Sequence, residues 1–416
     1  MASVLLFRRL TMRPRAAIRA PVLLLAALAL LPAAACTSKD EPVEVGVVLP
    51  LTGASSVYGK AVQRGVSLAA DELVRRHQEG SYPYELALDV RDSEGKPAQA
   101  AKLLSALYDA DAVAAIGGVT NPEAHAMVAV ADGAQRVLLS PSASSSSVAA
   151  ESRYVFRVFP SDYQQANKIG SFASLELKLA NAVVVAPADP YAKELIDGFE
   201  GEFKRNGGKV LAELAYPDGT DDVLPVVQRA LARHPQAVYL ATTGADRAAR
   251  LIVEGLDRKG FRGVVMTTSA FAAPQVLDET GRGTEGLILA RSGFDPSQKD
   301  PRVRAFVQAY RAKYGEDPGI YAAHGYDAMM VLAHTVAEEK AVPWNIWKGL
   351  KGLSGYRGVT GFIQFDEQGN AGQFPRVYVV EHGKVDEFDN LRKGVKRRIV
   401  RRVGNLAGEA RPLVTS

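Results

Sequence analysis

The sequence predicts an α/β fold of two doubly wound parallel-sheet lobes, and three observations carry that expectation. Short runs of Val, Ile, Leu and Ala recur along the chain without polar alternation, as at residues 45–49, 113–116 and 182–185. Strands buried on both faces read this way, because neither face has to meet water. Helix-like segments separate these runs almost everywhere, and regular alternation of strand and helix means a parallel sheet. The strand candidates also fall into two similar series that meet near Pro160-Ser161-Asp162. Nine or ten such strands are too many for one lobe.

The first unit shows the pattern. An apolar strand at 45–49 ends in a turn containing Pro50, Thr52, Gly53, Ser55 and Ser56. A helix follows, with Val62, Val66, Ala69 and Leu73 near helical spacing. In doubly wound sheets ligands bind at the carboxyl ends of the strands, so this loop and Tyr58 are candidate walls of a site. Gly53 to Lys60 superficially matches a phosphate loop. Five residues rather than four separate Gly53 from Gly59, and Ala61 stands where the metal-binding hydroxyl belongs, so the motif fails. Further strands are predicted at 86–90, 113–116, 137–140 and 155–158, then at 182–185, 210–215, 237–241, 264–268 and 286–290. Helices are predicted at 97–108, 122–132, 162–179, 191–206, 222–233 and 245–259.

Residues 1–35 read as a targeting segment. Arg8, Arg9, Arg13, Arg15 and Arg19 precede a short apolar stretch at 22–31, and Ala33-Ala34-Ala35 precede Cys36. Small residues ending at a cysteine are the bacterial lipoprotein pattern, although Ala33 stands where Leu is usual. The same alanines also satisfy an ordinary cleavage site. Cys36 is the only cysteine, so the exported chain has no internal disulfide and is expected to carry a lipid there.

Of the 50 basic residues, five precede Cys36 and eight lie beyond Leu391, where Glu409 is the only acid. The body between them is acidic, which argues against a nucleic-acid-binding face. The basic tail, 391–416, is either a weak helix that touches anionic lipid or a solvated end. The six histidines show no metal spacing, no metal site or cofactor is expected, and no nucleophile elbow is present.

Beyond Arg291 the chain returns. A helix at 301–314 and a longer one at 319–338 fit the first lobe. Residues 361–365 and 377–381 read as a hairpin around Asp366-Glu367-Gln368-Gly369-Asn370.

The ordered set Pro50-Leu51-Thr52-Gly53 with Tyr58-Gly59, Ala115-Ile116-Gly117-Gly118, Ser140-Pro141-Ser142-Ala143-Ser144, Val155-Phe156-Arg157 with Asp162, and Tyr191-Ala192-Lys193-Glu194-Leu195 resembles the type I periplasmic solute-binding proteins of the Leu/Ile/Val-binding family. The resemblance spans about residues 44–385. It implies two lobes joined by a three-strand hinge, with crossings near 160, 290 and 355. Residues 44–160 and 290–354 would form the first lobe, and 161–289 and 355–388 the second. It implies no enzyme but a substrate-binding lipoprotein of an ABC importer on the periplasmic face of a membrane, with permease subunits as partners. The alternative is a regulatory outer-membrane lipoprotein that uses the same fold to bind a protein.

The resemblance also implies a site. A ligand carboxylate would meet Asn121, Ser142 and Ser144, where small polar residues offer donors without full charge. Tyr191 would cover the ligand from the second lobe, Asp246 would meet an ammonium, and Tyr58 would line the side-chain pocket. Each has a plainer reading. Asn121 and Asp246 suit helix caps, Ser142–Ser147 a flexible polar loop, and Tyr58 or Tyr191 ordinary packing.

Overall fold

The computed structural model describes residues 41–391, apart from Asp218, Thr243, Ala245 and Gln373 and the side chains of Tyr191 and Asn390. The targeting segment with Cys36, and the basic tail after Leu391, lie outside the described residues.

The first half runs β1 (Val43–Leu49), α1 (Ser56–Gln78), β2 (Leu86–Asp92), α2 (Pro97–Asp109), β3 (Ala114–Gly117), α3 (Asn121–Ala134), β4 (Val137–Ser140), the single turn α4 (Ser147–Ala150) and β5 (Val155–Arg157). The second half runs α5 (Asp162–Ser171), β6 (Asn181–Pro187), α6 (Lys193–Arg205), β7 (Lys209–Tyr216), α7 (Leu224–Leu231), β8 (Ala237–Leu240), α8 (Arg247–Arg258), β9 (Val264–Thr267), α9 (Pro274–Thr280) and β10 (Ile288–Arg291). Three helices follow, α10 (Pro301–Tyr314), α11 (Ile320–Glu339) and α12 (Pro343–Lys351), and then β11 (Tyr356–Arg357), β12 (Phe362–Ile363), β13 (Arg376–Glu381) and β14 (Lys384–Glu387).

Among the described residues these strands form a parallel sheet of order β2-β1-β3-β4-β5 and a seven-stranded sheet of order β14-β13-β10-β9-β8-β6-β7. In the second sheet β13 and β14 are antiparallel to their neighbours. The continuous apolar runs are explained by a two-residue alternation between two cores. Val45, Val47 and Leu49 face α1, α10 and α11, while Val48 faces α2 and α3. Val184 and Ala186 face α5 and α6, while Val183 and Val185 face α7 and α8. Burying each such Val or Leu side chain contributes about 1.5–3 kcal/mol, so both faces hold the strands in place.

On one side of the first sheet α1 and α11 cross almost backbone to backbone. A Cβ on Gly65 would lie 1.9 Å from the Ala322 carbonyl oxygen, and one on Gly325 would lie 2.5 Å from that of Val62. Only hydrogen fits at either position.

Two expectations for the last stretch are corrected. The hairpin between 361–365 and 377–381 does not form. β12 pairs with β11 instead, and β13 pairs with β10 and with β14. The turn between β13 and β14 is His382-Gly383, both with positive φ, as a tight two-residue hairpin requires. Residues 355–371 also do not leave for the second lobe. Val359, Ile363, Phe365 and Ala371 complete the first core, so the chain crosses between Ala371 and β13 rather than near 355.

Two buried polar residues cause this. The Asp327 carboxylate on α11 accepts from the Val359 and Thr360 backbone N–H groups, both at 2.8 Å, and from Thr360 Oγ1 at 2.6 Å. Burial raises the Asp327 carboxyl to about 6, with these hydrogen bonds pulling it back. Arg157, at the end of β5 and fully buried, donates from Nε and Nη2 to Asn370 Oδ1 at 2.9 and 2.7 Å. Its backbone also bonds Gly369 and Ala371, each at 2.9 Å. The first and third crossings are thus fastened side by side.

Candidate functional site

Loops at the carboxyl ends of both sheets enclose a cleft of about 440 Å³. This is where a doubly wound sheet exposes loop backbone and helix starts, so it is where a ligand can be held. Tyr58 comes from the start of α1, Asn121 from the start of α3, and Ser142 and Ser144 from the loop after β4. Asp162 comes from the start of α5, Asp189 from the loop after β6, and Thr242 and Asp246 from the loop after β8. Five of the six residues expected to meet ligand therefore line one cavity: Tyr58, Asn121, Ser142, Ser144 and Asp246. Tyr191 stands in the short turn Pro190–Ala192, next to Asp189; its side chain lies outside the described part.

The serine-rich loop is not a loose polar segment. Ser142, Ser144 and Ser145 are buried, and each amide N–H from Ala143 to Ser147 has a partner. Ser144 and Ser145 N–H donate to Asn121 Oδ1 at 2.8 and 2.9 Å. Ser146 and Ser147 N–H donate to the Glu194 carboxylate at 3.0 and 3.3 Å. The hydroxyls of Ser145 and Ser146 also reach Glu194, at 2.8 and 2.9 Å. Glu194 belongs to α6, so this carboxylate ties the second sheet's layer to a loop of the first.

The expected anion-binding role of Asn121 is corrected by the same contacts. Its Oδ1 already accepts two N–H groups. Its Nδ2 donates to Asp162 Oδ2 at 3.2 Å and Ser144 Oγ at 3.4 Å. A primary amide offers two lone-pair sites and two N–H donors, and all four are used. Asn121 shapes the wall and braces the serine loop; its side chain has no donor left for an anion.

Asp162 is the residue that sequence reasoning missed. It belongs to the Val155-Phe156-Arg157 motif, yet it also sits just past a strand end, which is the signal that marks the others. Its carboxylate accepts from Ser144 Oγ at 2.8 Å as well as from Asn121. Burial raises this carboxyl to about 7, against the pull of the Ser144 and Asn121 hydrogen bonds, and the nearby Glu194 charge adds to the rise. Arg157 behind it is lowered by burial to about 10.

Asp246 does two things. Its Oδ1 accepts from Ala249 N–H at 2.7 Å, capping α8, and it lines the cleft. The capping reading and the lining reading are therefore both correct as geometry. Tyr58 is half-buried, and its hydroxyl donates to the Ala270 carbonyl oxygen at 3.2 Å. Its ring lies 4.8 Å from that of Tyr321, which in turn stacks on Phe159 at 5.8 Å. Tyr321 and Phe159 also line the cavity. They come from α11 and from the segment after β5, where no sequence motif pointed to a site. The loop after β1 holds no phosphate cradle: a Cβ on Gly59 would lie 2.1 Å from the Pro50 carbonyl oxygen, so that glycine serves close packing.

Comparison with known proteins agrees with this architecture. The family described as periplasmic binding protein matches residues 42–384. A Leu/Ile/Val-binding protein homologue of Brucella abortus is 23% identical over 334 residues, covering 78% of this chain and 86% of its own. The crystal structure of a leucine-binding protein, LivK, from Thermotoga maritima superposes with a TM-score of 0.76 at 26% identity, covering 83% of this chain and 97% of its own. The branched-chain amino acid transporter substrate-binding protein LivJ of Streptococcus pneumoniae, solved with isoleucine, gives the same TM-score at 24% identity, with 83% and 98% covered.

Proposed function

Because the chain belongs to the periplasmic binding protein family, whose members are solute-binding proteins and not enzymes, we propose that it is the extracytoplasmic solute-capturing subunit of an ABC importer. It takes an amino acid or a related small polar solute into the cleft between its two sheets, the lobes rotate closed about their crossings, and the loaded form docks on permease subunits. The supporting observation is the cleft itself, lined from both halves of the chain at strand ends by Tyr58, Ser144, Asp162 and Asp246. The relatives named for leucine, isoleucine and valine make amino acids and their derivatives the first solutes to try.

A ligand that binds only the folded state stabilises it by mass action, by about 2.7 kcal/mol at a hundredfold excess over Kd. A thermal-shift screen of amino acids, amines, amides and small acids on the mature chain is therefore expected to show a rise in melting temperature with one chemical group. If every compound leaves the transition unmoved at millimolar concentration, the proposal fails.

The same reading places the protein on the periplasmic face of a membrane through a lipid on Cys36, which follows a basic region, a short apolar stretch and three alanines. Cys36→Ser is expected to move the protein from the membrane to the soluble fraction. A wild-type chain that is already soluble, with a free thiol, would remove the anchor from the proposal.

A further inference from the structure

Many of the described donors around the cleft are already committed to the protein's own acceptors. In the loop after β1, Leu51 N–H, Thr52 N–H and Thr52 Oγ1 all donate to the Asp92 carboxylate, at 2.8, 3.2 and 2.7 Å. At the start of α3, Thr120 N–H and its hydroxyl donate to Glu123 Oε2 at 3.3 and 2.8 Å. The serine loop is filled by Asn121 and Glu194, as above, and Asp246 takes an N–H at the start of α8.

Six of the lining hydroxyls follow the same rule. Ser142 Oγ donates to the Val119 carbonyl oxygen, Ser144 Oγ to Asp162, Thr242 Oγ1 to Gly244 and Thr268 Oγ1 to Thr242. The Tyr58 and Tyr321 hydroxyls donate to the Ala270 and Ser269 carbonyl oxygens. A hydroxyl that has given its proton to the protein presents lone pairs to the cavity. Three carboxylates, Asp162, Asp189 and Asp246, line the same space, and no Lys, Arg or His is among the described residues around it. The wall is therefore rich in acceptors and acidic groups, with no side-chain cation among its described residues, beside the aromatic faces of Tyr58, Tyr321 and Phe159.

Resting on the solute-capture reading, we infer that the cognate solute is an organic cation, an amine or guanidine whose positive charge is not balanced by a carboxylate of its own. Its N–H groups donate to the Asp carboxylates and to the hydroxyl oxygens, and the rings accept the flank of the cation. A zwitterionic amino acid would bring a carboxylate against these acidic groups, with no side-chain cation among the described lining residues to receive it. Burying that charge unpaired costs more than its ammonium recovers.

Calorimetry on the mature chain with matched pairs tests this directly, using leucine against isopentylamine and arginine against agmatine. Each pair differs by one carboxylate. The amine of at least one pair is expected to bind at least about tenfold tighter, the weight of one charge-assisted hydrogen bond kept without an opposing charge. If leucine or arginine binds as tightly as its amine, the cation inference falls while solute capture stands. If nothing in these pairs or in the wider screen binds, solute capture falls and the inference with it. Asp189→Asn tests the wall at a partly buried carboxylate that takes no part in the Asn121–Ser144–Asp162 hydrogen bonds. It is expected to weaken amine binding on the order of tenfold, and unchanged affinity would overturn the charge argument.

Discussion

Gly65→Ala is expected to destabilise the protein by about 3 kcal/mol or more, the upper range for overpacking a closed interior. The added methyl carbon would meet the Ala322 carbonyl oxygen at 1.9 Å and the Tyr326 N at 2.8 Å. Both are backbone atoms of α11, so no side-chain rotation can relieve the contact. The two helices would have to separate, and with them the layer that covers one face of the first sheet. Gly325→Ala on the opposite helix meets Val62 backbone and should behave alike. Equilibrium unfolding in urea measures both. A cost below about 1 kcal/mol would show that the crossing adjusts freely and that the close approach has no energetic role.

Asp327→Ala is the second large effect, about 3–4 kcal/mol, because it strands two buried backbone N–H groups and the Thr360 hydroxyl and leaves a gap behind. The segment that carries Val359 and Ile363 into the first core would lose its fastening. Gly358 shows how tightly it is held, since a Cβ there would lie 2.3 Å from Asp327 Oδ2. The effect also depends on pH. In the unfolded chain this carboxyl ionises near about 4, whereas burial raises it to about 6 in the fold. Between those values the folded state holds the proton longer, so the contribution of Asp327 to stability declines as pH rises from about 4 to about 6 and is constant above. The difference between wild type and Asp327→Ala is expected to be larger at pH 4.5 than at pH 7. A difference that grows with pH would mean that the ionised form is the one the fold prefers.

The parts of the architecture legible in the sequence are those set by local burial. A strand at 137–140 or 182–185 is apolar throughout because cores lie on both sides, and that survives in the sequence as an uninterrupted run. β13 was legible for the same reason, but its partner was not. Residues 361–365 and 377–381 both have strand character, and the intervening Asp366–Asn370 stretch has turn residues. Pairing is decided elsewhere, by Asp327 and Arg157, which are 33 and 213 residues from the groups they hold.

The site divides in the same way. Its location follows from strand ends, so Ser142, Ser144, Asp246 and Tyr58 could be placed. Roles did not follow, because an asparagine before a proline has the same letters whether it faces ligand or braces a loop. Asn121 turns out to brace. Glu194 and Asp162 act across the join between the halves, and nothing near them in sequence records their partners.

The fastening of Arg157 to Asn370 changes how the two halves can move. Three chain passages would ordinarily act as three separate struts, which resist bending in every direction. Two of them leave the first sheet's layer bonded together, and so count mechanically as one ribbon. That ribbon and the passage after Arg291 define a line, and a body held along a line keeps a single rotational freedom. Rotation of one half against the other would then follow one coordinate, like a door on two pins. Spectroscopic labels on the two lips of the cleft would change separation together, whereas labels spaced along the line would keep theirs.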